Sequence, residues 1–375
     1  MLAISEGSAI NTAIHILILL TLTASIAIDL AEKMKNAVFY WGILFLGVAV
    51  KIASNSFVLI DLGLLLFAAK GCPFKLIART SLVAISVSVM GIVFLSVIGI
   101  LPDYIGASRG NGIRHSLGFL YTTYLSHYYF NIATLYVFIR SKGIAYLELI
   151  LLFLVNVVIY ALTFSRNSFM LVSALIICAF VIKVGGAKLA INKAVLSLFA
   201  EYSWFGFFTL FLMASLLYSP ENTMWEKINT VFSNRFAQTQ TSIFNYGLSP
   251  LGEEIEWVGN SVEVGHSETT RKDANPNGDD NFVDNSFINI LLTKGWIALI
   301  YILMVWSVAG RAVASRGDAM LCAIFLLIAL HSTIDPQLTS IEYSAFWFLA
   351  MPIAQKQLNG LIQAKKDELL ESYNE

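Results

Sequence analysis

Long apolar runs broken by short polar intervals set the rhythm of this chain. A helix needs roughly 20 apolar residues to cross a hydrocarbon layer of about 30 Å. On that rule the pattern predicts spans over 8–28, 37–53, 55–70, 80–100, 118–139, 144–164, 168–184, 203–219, 286–309, 318–335 and 341–355. That makes about eleven transmembrane helices, in a range of 10–12, because the second, third and last runs are short or interrupted by polar residues. One interval breaks the rhythm: residues 220–285 form a polar stretch far longer than an ordinary connection. Within it Trp225, Ile228, Val231, Phe232, Phe236, Ile243 and Phe244 recur at spacings that predict one or two amphipathic helices at the membrane surface over 222–246. Residues 247–285, rich in Gly, Asn, Asp and Glu, read as turns. The expected fold class is an all-α polytopic membrane protein with one long extracytoplasmic loop. Its parts are a membrane domain over 1–219 with spans one to eight, the loop over 220–285, spans nine to eleven over 286–355, and a cytoplasmic tail over 356–375. No internal repeat is visible, which disfavours transporter folds built from duplicated halves.

Composition agrees with lipid as the main solvent. The 375 residues are 57% hydrophobic and 13% charged, against about 25% charged in soluble domains. The net charge of -1 comes with no basic tail or aromatic–basic stripe, so nucleic acid is not an expected partner. Cys72, Cys178 and Cys322 have no metal-type spacing and form no disulfide framework. The first thirty residues lack a basic leader and a small-residue cleavage site, and read as a first spanning helix rather than a signal peptide.

Charge also sets the sidedness. Fifteen of the 24 basic residues, among them Lys33, Lys70, Arg79, Arg140, Lys183, Arg311 and Lys356, fall on one side of the predicted bundle. The positive-inside rule makes that side cytoplasmic, with the N-terminus outside and the C-terminus inside. Against this rule, Arg109 and Arg114 in one loop, Arg166 and Arg235 fall on the outer side, in three separate segments. Guanidinium forks suit phosphate oxygens, so four of them at one face point to an anionic ligand.

A second candidate is His331-Ser-Thr-Ile-Asp335-Pro336, at the outer end of span ten. Residues four apart share a helix face, so His331 and Asp335 are expected to pair there. An ionisable group inside a span is costly and marks a functional site by default; a His oriented by a carboxylate is a general base for a hydroxyl nucleophile. His115, His127, Tyr128 and Asp284 are further candidates for contacts to sugar, His127 lying in the tyrosine-rich run YTTYLSHYYFN that equally suits packing. The stretch DANPNGDDNFVD, 273–284, approaches a calcium-loop spacing, but Pro276 intrudes, Asp280 replaces the expected apolar residue and Asp284 replaces the closing Glu. No His/Cys cluster or compact DxD motif points to a metal.

The stretches GIRHSLGF (112–119), FSRNSF (164–169), VFSNRFAQTQTSIFNYGLSPLG (231–252), DNSFINILLTKGW (284–296) and HSTIDP followed by IEYSAFW give the chain a family likeness over roughly 100–350. It resembles the Wzy-type polysaccharide repeat-unit polymerases of bacteria, relatives of the O-antigen ligases. The resemblance implies a GT-C-like, metal-independent glycosyltransferase without cofactor, acting at the outer face of the bacterial cytoplasmic membrane on oligosaccharide units carried by undecaprenyl pyrophosphate. It also implies arginines (Arg166 and Arg235, with Arg109 and Arg114) on the pyrophosphate, His331 assisting the acceptor, and a chain-length regulator as partner. Asp335 departs from the Glu more usual after that His. An O-antigen-type ligase needs the same donor site, and a flippase of the lipid-linked oligosaccharide is the alternative from another class.

Overall fold

A computed structural model of the chain describes residues 20–27, 30–107, 113–185, 193–257, 263–265 and 281–374. It is mostly helical. After a helical segment at 20–27, the helices are α1 (Leu30–Met34), α2 (Val38–Ser54), α3 (Val58–Ala68), α4 (Phe74–Val97), α5 (Tyr124–Arg140), α6 (Tyr146–Thr163) and α7 (Arg166–Gly185). They continue as α8 (Lys193–Leu216), α9 (Thr223–Val231), α10 (Arg235–Tyr246), α11 (Ser286–Thr293), α12 (Gly295–Ser315), α13 (Ala319–Ser332) and α14 (Trp347–Asn374). Five of them are long and apolar enough to cross a membrane: α4, α6, α7, the Leu198–Leu216 part of α8, and α12. Shorter apolar helices, α2, α3 and α13, complete that set.

The burial pattern is that of a protein dissolved in lipid. On α4, Val83, Val87, Met90, Phe94 and Val97 are all exposed, spaced three or four apart on one face. Ala78, Val89, Ile92 and Ser96 are its buried positions. A continuous apolar stripe of this length is a surface for hydrocarbon, since soluble proteins rarely leave such a patch to water. The core lies around α12. Its Trp306 stacks on Trp204 of α8 with ring centroids 4.4 Å apart and meets Trp347 of α14 edge-on at 5.2 Å. Gly310 lets α8 and α12 touch, because a Cβ there would lie 1.9 Å from the Ala200 carbonyl oxygen. Small residues at such crossings are how helices approach closely in lipid.

Several predicted boundaries are corrected. The run 286–309 is two helices, broken at Lys294. Gly295 takes φ +85, and a Cβ on it would meet the Pro250 carbonyl oxygen at 2.2 Å. Gly252, at φ +81, presses in the same way on the Thr293–Lys294 backbone, so the start of the irregular loop is seated in the break. The run 341–355 begins as turns, and α14 starts only at Trp347, then continues through the predicted tail to Asn374. The run 118–139 is helical only from Tyr124, because Leu117 and Gly118 take positive φ and turn the chain first. The first predicted span lies mostly outside the described residues. The two amphipathic helices of the long loop are α9 and α10, close to their predicted limits.

A three-stranded antiparallel sheet was not expected. Its order is β2-β1-β3, with β1 at Tyr104–Ala107, β2 at Ile113–His115 and β3 at Glu263–Gly265. Arg114 stands opposite Gly106, and His115 opposite Ile105. Strands of three or four residues are too short to display an alternating pattern. The sheet ties the far part of the long loop to the segment before α5.

Candidate functional site

Three helices deliver polar side chains to one end of the bundle. His127 sits in the first turn of α5 and Ser168 in the first turn of α7. His331 is the penultimate residue of α13, and Asp335 lies in the turn beyond it. All four are buried. The Nε2 of His127 lies 2.6 Å from Asp335 Oδ2, and its Nδ1 lies 3.1 Å from His331 Nε2. Ser168 Oγ approaches the same Nδ1 at 3.2 Å. The His331 ring stacks on Phe130, one turn after His127 on α5, with centroids 4.7 Å apart and planes 13° from parallel. Packing thus fixes the imidazole that the hydrogen bonds orient.

The expected helical pairing of His331 with Asp335 is replaced by this arrangement. The α13 helix ends at Ser332, with tight bonds from Thr333 N to the Leu330 carbonyl and from Ile334 N to the His331 carbonyl. Asp335 precedes Pro336, and a residue before proline is pushed out of the helical region. Its carboxylate therefore leaves the α13 face and reaches across to α5. The turn is clamped from a third direction. Asn285 Nδ2 donates to the Thr333 carbonyl at 2.9 Å, and the Ser286 hydroxyl donates to the Asp335 carbonyl while accepting from Leu338 N at 3.0 Å.

Arg235 is delivered by a sharp corner. Ser233 and Asn234 both take positive φ, and the buried Asn229 side chain accepts from Phe236 N at 3.2 Å and from Ala237 N at 3.3 Å. These bonds cap α10 and set its first residue, Arg235. Its guanidinium donates to the Asp284 carbonyl at 3.0 Å and pairs with Asp284 Oδ2 at 3.3 Å. Asp284 directly precedes the Asn285–Ser286 clamp, so the arginine and the His–Asp cluster hang from one short segment.

Arg114 reaches the end of α6, and Arg166 begins α7 three residues later. Arg114 Nε donates to the Thr163 carbonyl at 3.0 Å from strand β2. Arg166 opens α7, is exposed, and makes no hydrogen bond or ion pair among the described residues. It stands two positions before Ser168. Arg109 and most of the calcium-like stretch 273–284 lie outside the described residues. His115 faces elsewhere, with Nδ1 2.6 Å from Asp103 Oδ2, whose other oxygen accepts from Leu117 N at 2.7 Å. That pair holds the turn before α5. Tyr128 stacks on Tyr343 at 4.3 Å and packs against Phe119.

Beside His331 a small polar cavity, with room for about one water molecule, is lined by Asn131, Ser332, Gln337 and Ser344 among others. The Gln337 Oε1, Ser344 Oγ and Asp335 Oδ1 atoms are buried without a hydrogen-bond partner. Sequence reasoning missed Ser168 and the Asn285–Ser286 clamp; the polar start of each of their helices is the only signal they carry. Comparison with protein-family models, with curated proteins and with solved structures finds no match to this chain.

Proposed function

We propose that the chain is a membrane glycosyltransferase that polymerises undecaprenyl-pyrophosphate-linked repeat units into a surface polysaccharide, at the outer face of the bacterial cytoplasmic membrane. In this reading the fold is GT-C-like with about eleven spans. One observation supports it above all: His127 and the His331–Asp335 turn, 204 residues apart in sequence at the His–His contact, meet in one buried chain. Ser168, in the stretch FSRNSF, and His331 and Asp335, in HSTIDP, belong to stretches that bear the resemblance.

The chemistry is a displacement at the anomeric carbon. The acceptor hydroxyl oxygen forms the new bond, the bond to the pyrophosphate oxygen breaks, and the hydroxyl proton goes to a base. With Asp335 ionised, His127 donates Nε2–H to it and keeps a lone pair on Nδ1. His331 Nε2–H donates to that lone pair, which leaves His331 Nδ1 free to accept the acceptor proton. Asp335 and His127 then stabilise the imidazolium that forms. Negative charge grows on the departing pyrophosphate, and in this reading Arg235, Arg166 and Arg114 stabilise it; losing one such contact typically costs about a hundredfold or more in rate. The sugar is already activated, so no metal or nucleotide is required.

The test is deletion of the gene in its host, with surface polysaccharide and lipid-linked sugars resolved on gels beside complemented cells. Loss of the polymer ladder with single units still displayed outside supports the polymerase. Units trapped inside mark a flippase, and polymer held on its lipid marks a ligase; either outcome overturns the reading.

A further inference from the structure

We propose that His127 and His331, with Ser168, form a binding site for a divalent transition-metal ion of the zinc type, oriented by Asp335. The geometry points to the space between the two rings. His127 Nδ1 and His331 Nε2 stand 3.1 Å apart, and two nitrogens bound at about 2.0–2.1 Å to one tetrahedral zinc lie about 3.3 Å apart. Ser168 Oγ is 3.2 Å from the same Nδ1, a third donor atom beside the pair. His127, His331 and Asp335 each offer a ligand atom within 4.8 Å of the others.

Two further features favour a cation at that point. The far nitrogen of His127 bonds Asp335 at 2.6 Å, which is the carboxylate–histidine arrangement that fixes the ring and raises the basicity of a ligating nitrogen. The other oxygen of Asp335 is buried without a partner, leaving negative charge inside the bundle that a cation beside His127 offsets. Arg235 does not fill this role, because it is paired with Asp284. Imidazole donors select zinc, copper, nickel and cobalt over calcium and magnesium. The metal takes the place of the proton between the rings: His331 moves its proton from Nε2 to Nδ1, and Nε2 becomes a ligand. Metal and proton relay therefore exclude each other, and the ion would act as a brake on any proton transfer through His331.

The binding itself does not depend on the glycosyltransferase reading. The untagged full chain, purified in detergent and stripped with chelator, is titrated with Co2+ and followed by visible absorption, with metal counted after gel filtration. Expected is one Co2+ per chain with the bands of a low-coordinate site, displaced by Zn2+. His127→Gln and His331→Gln lose the bands, and Asp335→Asn, which keeps every ligand, weakens binding about 10–100-fold. Gel-filtration profiles show which variants remain folded, and Asp335→Asn decides the matter if a His variant does not. No retained Co2+ in the wild type, or binding unchanged in folded His or Asp335 variants, overturns the proposal.

Discussion

At the level of single residues, the site rests on His127 as much as on His331. A bury-and-orient role for Asp335 through His127 predicts that His127→Ala and Asp335→Asn reduce polymer formation about as severely as His331→Ala, by roughly 100-fold or more, the usual span for losing a positioned acid–base group. Complemented cells scored by polymer ladder, with membrane levels of each variant measured alongside, check this. Arg235→Lys keeps a charge but loses the fork that holds Asp284 and that, on the proposed function, also meets a phosphate, so its loss should fall between wild type and Arg235→Ala. The sequence made His331 visible because an ionisable residue inside an apolar run has few bland explanations. His127 was less legible, since its tyrosine-rich neighbours read equally as packing, and Tyr128 does pack on Tyr343. Ser168 was invisible because serine is unremarkable at the start of a helix. The pairing of Asp335 with α5 could not be read from spacing, which favoured His331 four residues away.

Elements place these residues, and their joints are testable. The break between α11 and α12 seats the loop that begins after α10, and Gly295 allows it by its positive φ and by the close Pro250 carbonyl. Gly295→Ala should cost about 1–3 kcal/mol, the usual penalty of forcing extra volume into a packed joint, read as a lower melting temperature in detergent. Asn229 caps α10 from the preceding helix, and Asn229→Ala should cost about 1 kcal/mol and also lower activity by freeing Arg235. Melting and polymer assays on one preparation separate the two effects. Helix existence was legible from apolar runs, whereas helix ends were set by glycines, by Asn234 and by the residue before Pro336. Such details decide where a site residue points. The small sheet was illegible because its strands are too short to carry a pattern.

For the whole molecule, the exposed stripe on α4 and the apolar lengths of α6, α7, α8 and α12 make lipid the surrounding medium. Val87→Asp places a charge on the lipid face, at a cost of about 2.5–3.5 kcal/mol near a helix centre, and should lower the amount of chain recovered in the membrane fraction. Sidedness follows from charge: Cys72, free and exposed in a basic connection, should react with an impermeant maleimide only after cells are opened. Labelling in intact cells would reverse the proposed orientation and put the arginine-bearing end in the cytoplasm.

The central proposal is that the buried His–His–Asp chain and the arginines around it lengthen a lipid-linked sugar chain. It is tested most directly by supplying purified protein in liposomes with undecaprenyl-pyrophosphate-linked repeat units and resolving the products by size. Longer oligosaccharides and released undecaprenyl pyrophosphate are predicted, in chelator as well as without it, and their loss in His331→Ala and Arg235→Ala. No elongation by folded wild-type protein, elongation that stops in chelator, or full activity in both variants would contradict it.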